Sequence, residues 1–223
     1  MVSAVNMGRG EAQTALADEE LLSLWRNGDV VAGNVLMKRH FLPLQRYFRS
    51  KLSSEHDVQD LVQATYVACA EQRRGRGLDH VASFAAYLFG IARYMLVGFY
   101  RRKSAFCDVE DIASVPLADL SPGPSTLIKM QEHVDILLLA MDELSIDQQT
   151  VIQLKYWQGM RQEEVADAMG APLGTISSRL RMAKKKLVVA YGNVSERETS
   201  KRREIASDDE LAELLSTMAR RLL

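Results

Sequence analysis

The sequence is poor in the residues that build loops, disulfide bonds and metal sites. Five prolines and thirteen glycines among 223 residues disfavour a loop-rich fold made of β-strands. The two cysteines, Cys69 and Cys107, have no second cysteine or histidine at metal-ligand spacing. We therefore expect no disulfide framework, no bound metal and no cofactor.

Long apolar runs are also missing. No run of apolar residues approaches the ~20 that a membrane-spanning helix needs. Residues 1–17 lack the basic start and the apolar core of a signal peptide. The sequence therefore predicts a chain that does not insert into a membrane and that works in the cytoplasm.

Signals of covalent chemistry are equally scarce. The histidines, at positions 40, 56, 80 and 133, are scattered, and no nucleophile or ligand stands at a useful spacing from them. No glycine-rich phosphate-binding loop is present. We expect that the protein is not an enzyme.

Charge is balanced overall but unevenly distributed. The formal net charge is −1, which by itself does not indicate a nucleic-acid partner. Residues 173–191 nevertheless contain five basic residues and no acidic one, whereas residues 104–126 contain four acidic residues and no basic one. The near-neutral total thus hides a basic segment and an acidic connector.

Apolar periodicity predicts an all-α chain with two helical domains. The first domain, residues 18–103, should contain helices at about 18–27, 30–52, 57–72 and 81–103, with Asp18 capping the first helix and a flexible basic loop at 73–77. In the last of these helices one apolar stripe should face the core; it consists of Phe84, Tyr87, Leu88, Ile91, Met95 and Phe99.

A linker and a second helical domain follow. Residues 104–126 show no sustained period and include Pro122 and Pro124, so we expect a linker that is extended at least in part. Residues 127–191 should form four helices. The extension at 192–223 should be polar and mobile over 193–206 and then amphipathic, with Ser207 and Glu210 as a capping box. Its apolar stripe fits docking onto either domain, binding of a regulator, or a frayed end.

Residues 161–188 have the pattern of a helix-turn-helix. Gly170 should supply the left-handed residue that ends the first helix, and Pro172 suits the start of the second. Ile176, Leu180 and neighbours at the same spacing should pack inward. The residues left on the other faces suit base edges and phosphates in a major groove; they are Thr175, Ser177, Ser178, Arg179, Arg181, Lys184 and Lys185. The alternative is an amphipathic surface helix with a solvated basic face.

The same segment resembles region four of extracytoplasmic-function sigma factors, which belong to the sigma-70 superfamily. The match is carried by Glu163-Glu164-Val165-Ala166, Gly170, Gly174-Thr175-Ile176 and Ser178-Arg179-Leu180. Ile146 stands where proline is usual, and Gln149 stands near the usual arginine. The resemblance implies that residues 127–191 read a minus-thirty-five promoter element.

Residues 57–71 carry polar side chains on one side of a helix, which suits either a basic partner or plain solvation. The segment resembles the core-polymerase-binding part of region two, with Ala64 in place of the usual glutamate. In this family the segment grips a coiled coil of the largest polymerase subunit. The resemblance therefore implies that core RNA polymerase is contacted by Asp57, Gln59, Asp60, Leu61 and Gln63.

Residues 83–103 resemble the family's promoter-melting and minus-ten-reading segment, with Tyr94 and Gly98 where asparagine and aspartate are often found. Opened DNA offers unstacked bases to aromatic side chains and bare phosphates to arginines. Phe84 and Tyr87 also lie on the apolar stripe, so a core role for each stays open. The residues implied for minus-ten contact are Arg73, Arg74, Arg76, Phe84, Tyr87, Arg93, Tyr94, Arg101 and Arg102.

Together the two resemblances predict a sigma factor. Its expected partners are core RNA polymerase and promoter DNA, both as duplex and as the melted non-template strand, and an anti-sigma factor or another regulator is an optional further partner. The alternative is a helix-turn-helix transcriptional regulator that acts without being a polymerase subunit.

Overall fold

The N-terminal unit is a bundle of helices. The computed structural model describes residues 13–74, 81–103, 112–120, 133–199 and 203–221, and within these ranges every regular element is helical. None of the helices in those ranges has the length and apolar character needed to cross a bilayer. The helices of the N-terminal unit are α1 (Asp18–Arg26), α2 (Val30–Arg39), α3 (Phe41–Arg49), α4 (Glu55–Arg74) and α5 (Phe84–Lys103).

Two details of this unit differ from the sequence prediction. The helix expected at 30–52 is broken at His40, because Pro43 would clash with the Arg39 carbonyl group in a continuous helix but fits the first turn of α3. Asp18 does not cap α1, since Ala17 precedes that helix. Asp18 instead pairs with Arg39 and lies 2.5 Å from His40 Nε2.

The core stripe of α5 is also rotated from the prediction. Leu88, Phe89, Ala92, Leu96 and Tyr100 are buried along this helix, whereas the predicted stripe members at 87, 91, 95 and 99 are only partly buried. Phe84 and Leu88 of the predicted stripe are buried as expected. Because α5 packs against α4 on one side and against a helix of the C-terminal unit on another, it is apolar on two faces, and a single-stripe interpretation does not separate them.

The C-terminal unit holds a second helical bundle. Ser145 caps one of its helices by a reciprocal pair of hydrogen bonds, in which Gln148 N donates to Ser145 Oγ (3.3 Å) and Ser145 N donates to Gln148 Oε1 (3.2 Å). The helices of this unit are α7 (His133–Asp142), α8 (Ile146–Tyr156), α9 (Gln162–Met169) and α10 (Leu173–Thr199).

The predicted boundary at 191/192 falls inside α10. That helix continues to Thr199, with Val194 and Ser195 buried, so the expectation of a mobile segment from 193 is wrong as far as 199. The C-terminal helix α11 (Asp208–Arg221) follows and packs against α7 and α8. Ser207 Oγ accepts the Glu210 amide (3.1 Å), as a cap requires, whereas the Glu210 carboxylate binds the amide of Ala206.

The described part of the linker is folded. Residues 112–120 contain a 3₁₀-helix (Ile112–Ser114) and the short helix α6 (Leu117–Leu120), with Ile112 and Leu117 buried. The Leu117 amide donates to the Leu144 carbonyl oxygen at 3.0 Å. The prolines at 122 and 124 lie outside the described residues. The 3₁₀-helix contacts both α5 and α8, so this stretch lies where the two units meet.

The two units pack directly against each other and share one continuous core of buried side chains. The main contact is between α5 and α9. Polar contacts also cross between the units: Tyr47 Oη lies 3.1 Å from Thr150 Oγ1, and Gln153 Nε2 donates to Ser50 Oγ at 2.8 Å. The chain is therefore folded as one body in which both bundles contribute to a common interior.

Candidate nucleic-acid interface

The helix-turn-helix is formed by α9 and α10. At the start of α9 the Arg161 amide donates to Glu164 Oε2 (2.9 Å), and this hydrogen bond lowers the pKa of Glu164. Gly170 ends the helix in the left-handed region, with φ +59°, as the sequence predicts. Pro172 directly precedes α10, so the turn has the backbone chemistry that its residues indicate.

One face of α10 is anchored and the opposite face is free. Ile176, Leu180, Ala183 and Leu187 are buried, in agreement with the predicted inward set. The exposed side chains near the start of the helix are hydroxyl-bearing and basic, which suits base edges and phosphates. Exposed among the predicted residues are Thr175, Ser177, Ser178, Arg181 and Lys185, and Ser177 Oγ donates to Gln162 Oε1 of α9 at 2.9 Å.

Two basic side chains that are predicted to contact DNA form ion pairs with acidic residues of the same chain. Arg179 NH1 lies 3.0 Å from Asp147 Oδ2. Lys184 Nζ binds Asp208, and this hydrogen bond raises the pKa of Lys184. Neither acid is near its partner in the sequence, so local spacing carries no signal for these pairs.

The predicted core-binding face on α4 is partly polar and partly apolar. Gln59, Asp60 and Gln63 are exposed, and Asp57 accepts a hydrogen bond from Lys103 Nζ at 2.8 Å. Leu61 is buried in the bundle, because its position on the helix faces α3 and α5 rather than solvent. It can support this face but cannot contact a partner.

An apolar cleft beside this face was missed by the sequence analysis. Gln59 and Gln63 line it together with Phe41, Tyr66 and Val67, and Phe41 and Val67 are both exposed. Residues 59, 63 and 67 follow one another at steps of four on α4, so helical spacing could have identified Val67. Phe41 enters from α3, and only the fold brings it here.

The predicted minus-ten residues divide into exposed and buried groups. Tyr94 is 75% exposed, and Arg101 and Arg102 are exposed at the end of α5. Phe84 is buried and packs edge-on against Trp25 of α1, with 6.0 Å between ring centroids. It therefore belongs to the core of the N-terminal bundle. Tyr87 is half-buried.

The remaining basic residues of that set are placed differently. Arg93 Nε donates to Asp147 Oδ1 at 2.6 Å, so its guanidinium group reaches into the C-terminal unit. The backbone of Arg73 and Arg74 belongs to α4, and Arg76 lies outside the described residues. Asp147 therefore binds one arginine from each predicted DNA-contacting set.

A known protein family matches the part of the chain that contains the helix-turn-helix. The family described as "Sigma-70, region 4" matches residues 135–187. This range contains α8, α9 and the first half of α10, including all the predicted minus-thirty-five residues.

Individual relatives extend the similarity over both units. The chain is 27% identical over 173 residues to the RNA polymerase sigma factor NccH of Alcaligenes xylosoxydans xylosoxydans, covering 76% of this chain and 92% of the relative. It is 29% identical over 150 residues to the ECF RNA polymerase sigma factor SigL of Mycobacterium tuberculosis, covering 66% and 82% respectively. Such coverage includes most of each relative.

A solved structure agrees with these relatives. The chain is similar to CnrH, solved in complex with the cytosolic domain of CnrY, with a TM-score of 0.51 and 28% identity. The similarity covers 77% of this chain and 95% of that chain. The likeness therefore extends through both helical units.

Proposed function

Because this chain belongs to the extracytoplasmic-function sigma factors of the sigma-70 superfamily, we propose that it binds core RNA polymerase and directs promoter-specific initiation. The C-terminal unit contacts the minus-thirty-five element as duplex. The N-terminal unit contacts the minus-ten element and helps to open it. The chain contributes binding and no covalent step, and its place of action is the cytoplasm.

The observation that carries the proposal is the recognition helix α10. Its inward residues are buried, its turn has the left-handed glycine, and its first nine residues expose Thr175, Ser177, Ser178 and Arg181. Hydroxyl and guanidinium groups at the start of such a helix pair with base edges in the major groove. The geometry fits sequence reading better than a merely solvated basic surface, for which the turn and the hydroxyl cluster have no use.

The face on α4 supports the contact with polymerase. Exposed Gln59, Asp60 and Gln63 border an apolar cleft that contains Phe41 and Val67. Apolar residues surrounded by polar ones are typical of a protein-binding surface. We assign this surface to core RNA polymerase; CnrH was solved in complex with the cytosolic domain of CnrY, and a protein regulator of this chain is a further part of the proposal.

The exposed end of α5 supports contact with melted DNA. Tyr94 offers an aromatic face to an unstacked base, and Arg101 and Arg102 follow about two turns later to hold the strand. Stacking of a base on an aromatic side chain contributes about 1–3 kcal/mol. Tyr94 stands where the family often has asparagine, so it adds a ring that stacking can use.

The experiment is run-off transcription with purified core enzyme on a library of genomic promoters. We expect promoter-dependent transcripts that require the chain. A Ser178→Ala, Arg181→Ala variant should lose about 10-fold or more of this activity, at about 1–3 kcal/mol per lost base contact. The control is Glu213→Ala, an exposed change on α11. No transcript from any promoter, together with no binding to core enzyme, would refute the proposal.

A gel shift separates this function from that of a polymerase-independent regulator. A regulator of that kind binds its duplex tightly when it is free. We expect weak binding by the free chain and strong promoter binding only after core enzyme is added. Tight sequence-specific binding without polymerase would favour the regulator instead.

A further inference from the structure

We propose that the packed arrangement of the two units is an autoinhibitory lock centred on Asp147, which holds Arg93 and Arg179 away from DNA until the units separate. The lock rests on the proposed function for the identity of the DNA sites. Its conformational part, in which contacts within the chain keep the units together, can be tested without polymerase or promoter.

Asp147 joins the two predicted DNA surfaces through a single carboxylate. Its Oδ1 accepts Arg93 Nε from α5 at 2.6 Å, and its Oδ2 lies 3.0 Å from Arg179 NH1 of α10. The Asp147 side chain is only 9% exposed. A charged pair shielded from water is costly to break, because the charge left behind loses its partner. The cluster therefore favours the packed arrangement.

The packed arrangement is incompatible with simultaneous contact at both promoter elements. The minus-thirty-five and minus-ten elements are about 25 base pairs apart, which is roughly 85 Å at about 3.4 Å per base pair. Arg93 and Arg179 here bind opposite oxygens of one carboxylate, so their guanidinium groups are only a few ångströms apart. The units must separate before both elements are bound, and that separation breaks the contacts of Asp147.

Gly90 is adapted to the packed arrangement. It lies inside α5, where glycine is a poorer helix former than alanine. A Cβ atom built on Gly90 would lie 3.0 Å from the backbone carbonyl oxygen of Ala168 in α9. Backbone at that distance cannot move aside as a flexible side chain can. The close approach of α9 thus gives a physical reason for a glycine that the isolated helix does not need.

The C-terminal helix attaches to both units as well. Lys184 of the recognition helix binds Asp208 at the start of α11. At the other end, Arg46 NH1 donates to the Ala219 carbonyl oxygen at 3.3 Å, where a cation suits the negative end of the helix dipole. α11 therefore links α10 to α3, and it keeps Lys184, a third predicted DNA-contacting side chain, paired with an acid.

The test uses the full chain with two independent ways of weakening the lock. Gly90→Leu inserts a side chain between α5 and α9 without changing any charge, and Gly90→Ala is a milder form. Asp147→Asn removes the shared carboxylate charge while keeping its shape. Matched controls are Gly98→Leu, on the same helix, where a built Cβ atom meets only the flexible Arg102 side chain, and Asp119→Asn at an exposed acid.

Two readouts are measured on each purified variant. Small-angle X-ray scattering gives the radius of gyration, and circular dichroism confirms that helix content is unchanged. Affinity for a 30-base-pair duplex of mixed sequence is measured at 0.1 M salt. We expect both Gly90→Leu and Asp147→Asn to increase the radius of gyration and to bind the duplex about 10-fold more tightly, the gain from about one additional phosphate contact. Both controls should keep the wild-type radius of gyration, and Asp119→Asn should also keep the wild-type duplex affinity.

Gly90→Leu decides the outcome, because it changes no charge. Asp147→Asn removes a negative charge and would favour DNA binding by that effect alone. If Gly90→Leu keeps its helix content but leaves both the radius of gyration and the duplex affinity at wild-type values, the lock is wrong. If Gly90→Leu fails to fold, the same judgement applies to Gly90→Ala. If Gly90→Leu changes the radius of gyration and the duplex affinity as expected but the chain does not bind core enzyme in the transcription assay, the proposed function is wrong. The lock is then still supported.

Discussion

At the scale of single residues, Lys51 is unusual because it is a lysine buried in the interior of the described structure. It follows α3, is 1% exposed and lies against the C-terminal unit. Its Nζ donates to the Tyr47 carbonyl oxygen and to Ser50 Oγ, both at 3.2 Å, and also to Gln153 Oε1. Because burial disfavours the charged form, the pKa of Lys51 is well below its usual range.

This burial predicts a pH dependence of stability. In the unfolded chain Lys51 keeps its ordinary pKa, about 10.4, so between the lowered folded pKa and that value the unfolded state binds more protons. Stability due to this group should therefore rise with pH, by at most about 1.4 kcal/mol per unit. Tyr47 and Tyr100 adjoin Lys51, and burial raises the pKa of both phenols, so they stay neutral in this window.

We expect wild type to gain stability relative to Lys51→Met as pH rises from 7 to 10. The measurement is urea unfolding of both proteins at several pH values in that range. A difference in unfolding free energy that is independent of pH would show that Lys51 keeps its proton in the folded chain.

Local sequence spacing predicts whether a side chain is exposed. It does not predict equally well which residue that side chain contacts. The buried residues of α10 follow from a repeat of three and four, since that repeat is a property of the helix itself. The pairing of Arg179 and Arg93 with Asp147 depends on tertiary packing, and nothing in the neighbouring residues indicates it. The same reason explains Phe84, for which the sequence left core and DNA roles open until the bundle showed it buried.

At the scale of elements, the turn between α9 and α10 depends on its glycine. Gly170 has φ +59° and open space around it, so an alanine there is strained by its backbone and not by a clash. We expect Gly170→Ala to lower the free energy of unfolding by about 1–2 kcal/mol. Gly174 in α10 is the matched control, since its φ is not positive and its surroundings are equally open.

The control substitution should change the free energy of unfolding in the opposite direction. Gly174→Ala removes a glycine from a helix and should raise stability by up to about 1 kcal/mol. Chemical denaturation of the two variants measures both effects under one set of conditions. Equal effects of the same sign would contradict the conformational argument.

Element boundaries were predicted where a terminal residue has its own chemistry. Gly170, Pro172 and Ser207 each mark a helix end that the structure contains. The continuation of α10 to Thr199 was missed because residues 193–199 are mostly polar, and their helix is stabilised by burial of Val194 and Ser195 in the body of the protein. The break at His40 could have been foreseen from Pro43, which the apolar period obscured.

α11 should contribute to the stability of the C-terminal unit rather than fray. Leu211, Leu215 and Met218 are buried on its inner face, against α7 and α8. We expect Leu215→Ala to cost about 2–5 kcal/mol, as for other fully buried leucines, whereas Glu213→Ala on the exposed face should change stability by less than about 0.5 kcal/mol. Thermal unfolding of the two variants distinguishes a docked helix from a frayed end, for which both costs would be small.

At the scale of the whole molecule, a chain of near-neutral charge carries one basic helix whose charges are not all available. Residues 173–191 contain five basic side chains, but Arg179 binds Asp147 and Lys184 binds Asp208. Arg181, Lys185 and Lys186 are exposed. The sequence alone shows five basic side chains here, and only the packing of distant acids against this helix reduces the number available to phosphates to three.

The salt dependence of duplex binding by the free chain follows from the three exposed basic side chains, Arg181, Lys185 and Lys186. At about 0.9 per neutralised phosphate, the slope of log K against log salt should be near −2.7, shallower than the −3.6 expected for four contacts. Asp208→Asn frees Lys184 and should steepen the slope by about 0.9, whereas Asp209→Asn, at the exposed neighbouring acid, should leave it unchanged. Titration of a duplex between 50 and 200 mM salt measures all three slopes. A wild-type slope steeper than about −4 would mean that Arg179 and Lys184 reach DNA despite their acidic partners, since they are the two remaining basic side chains of residues 173–191.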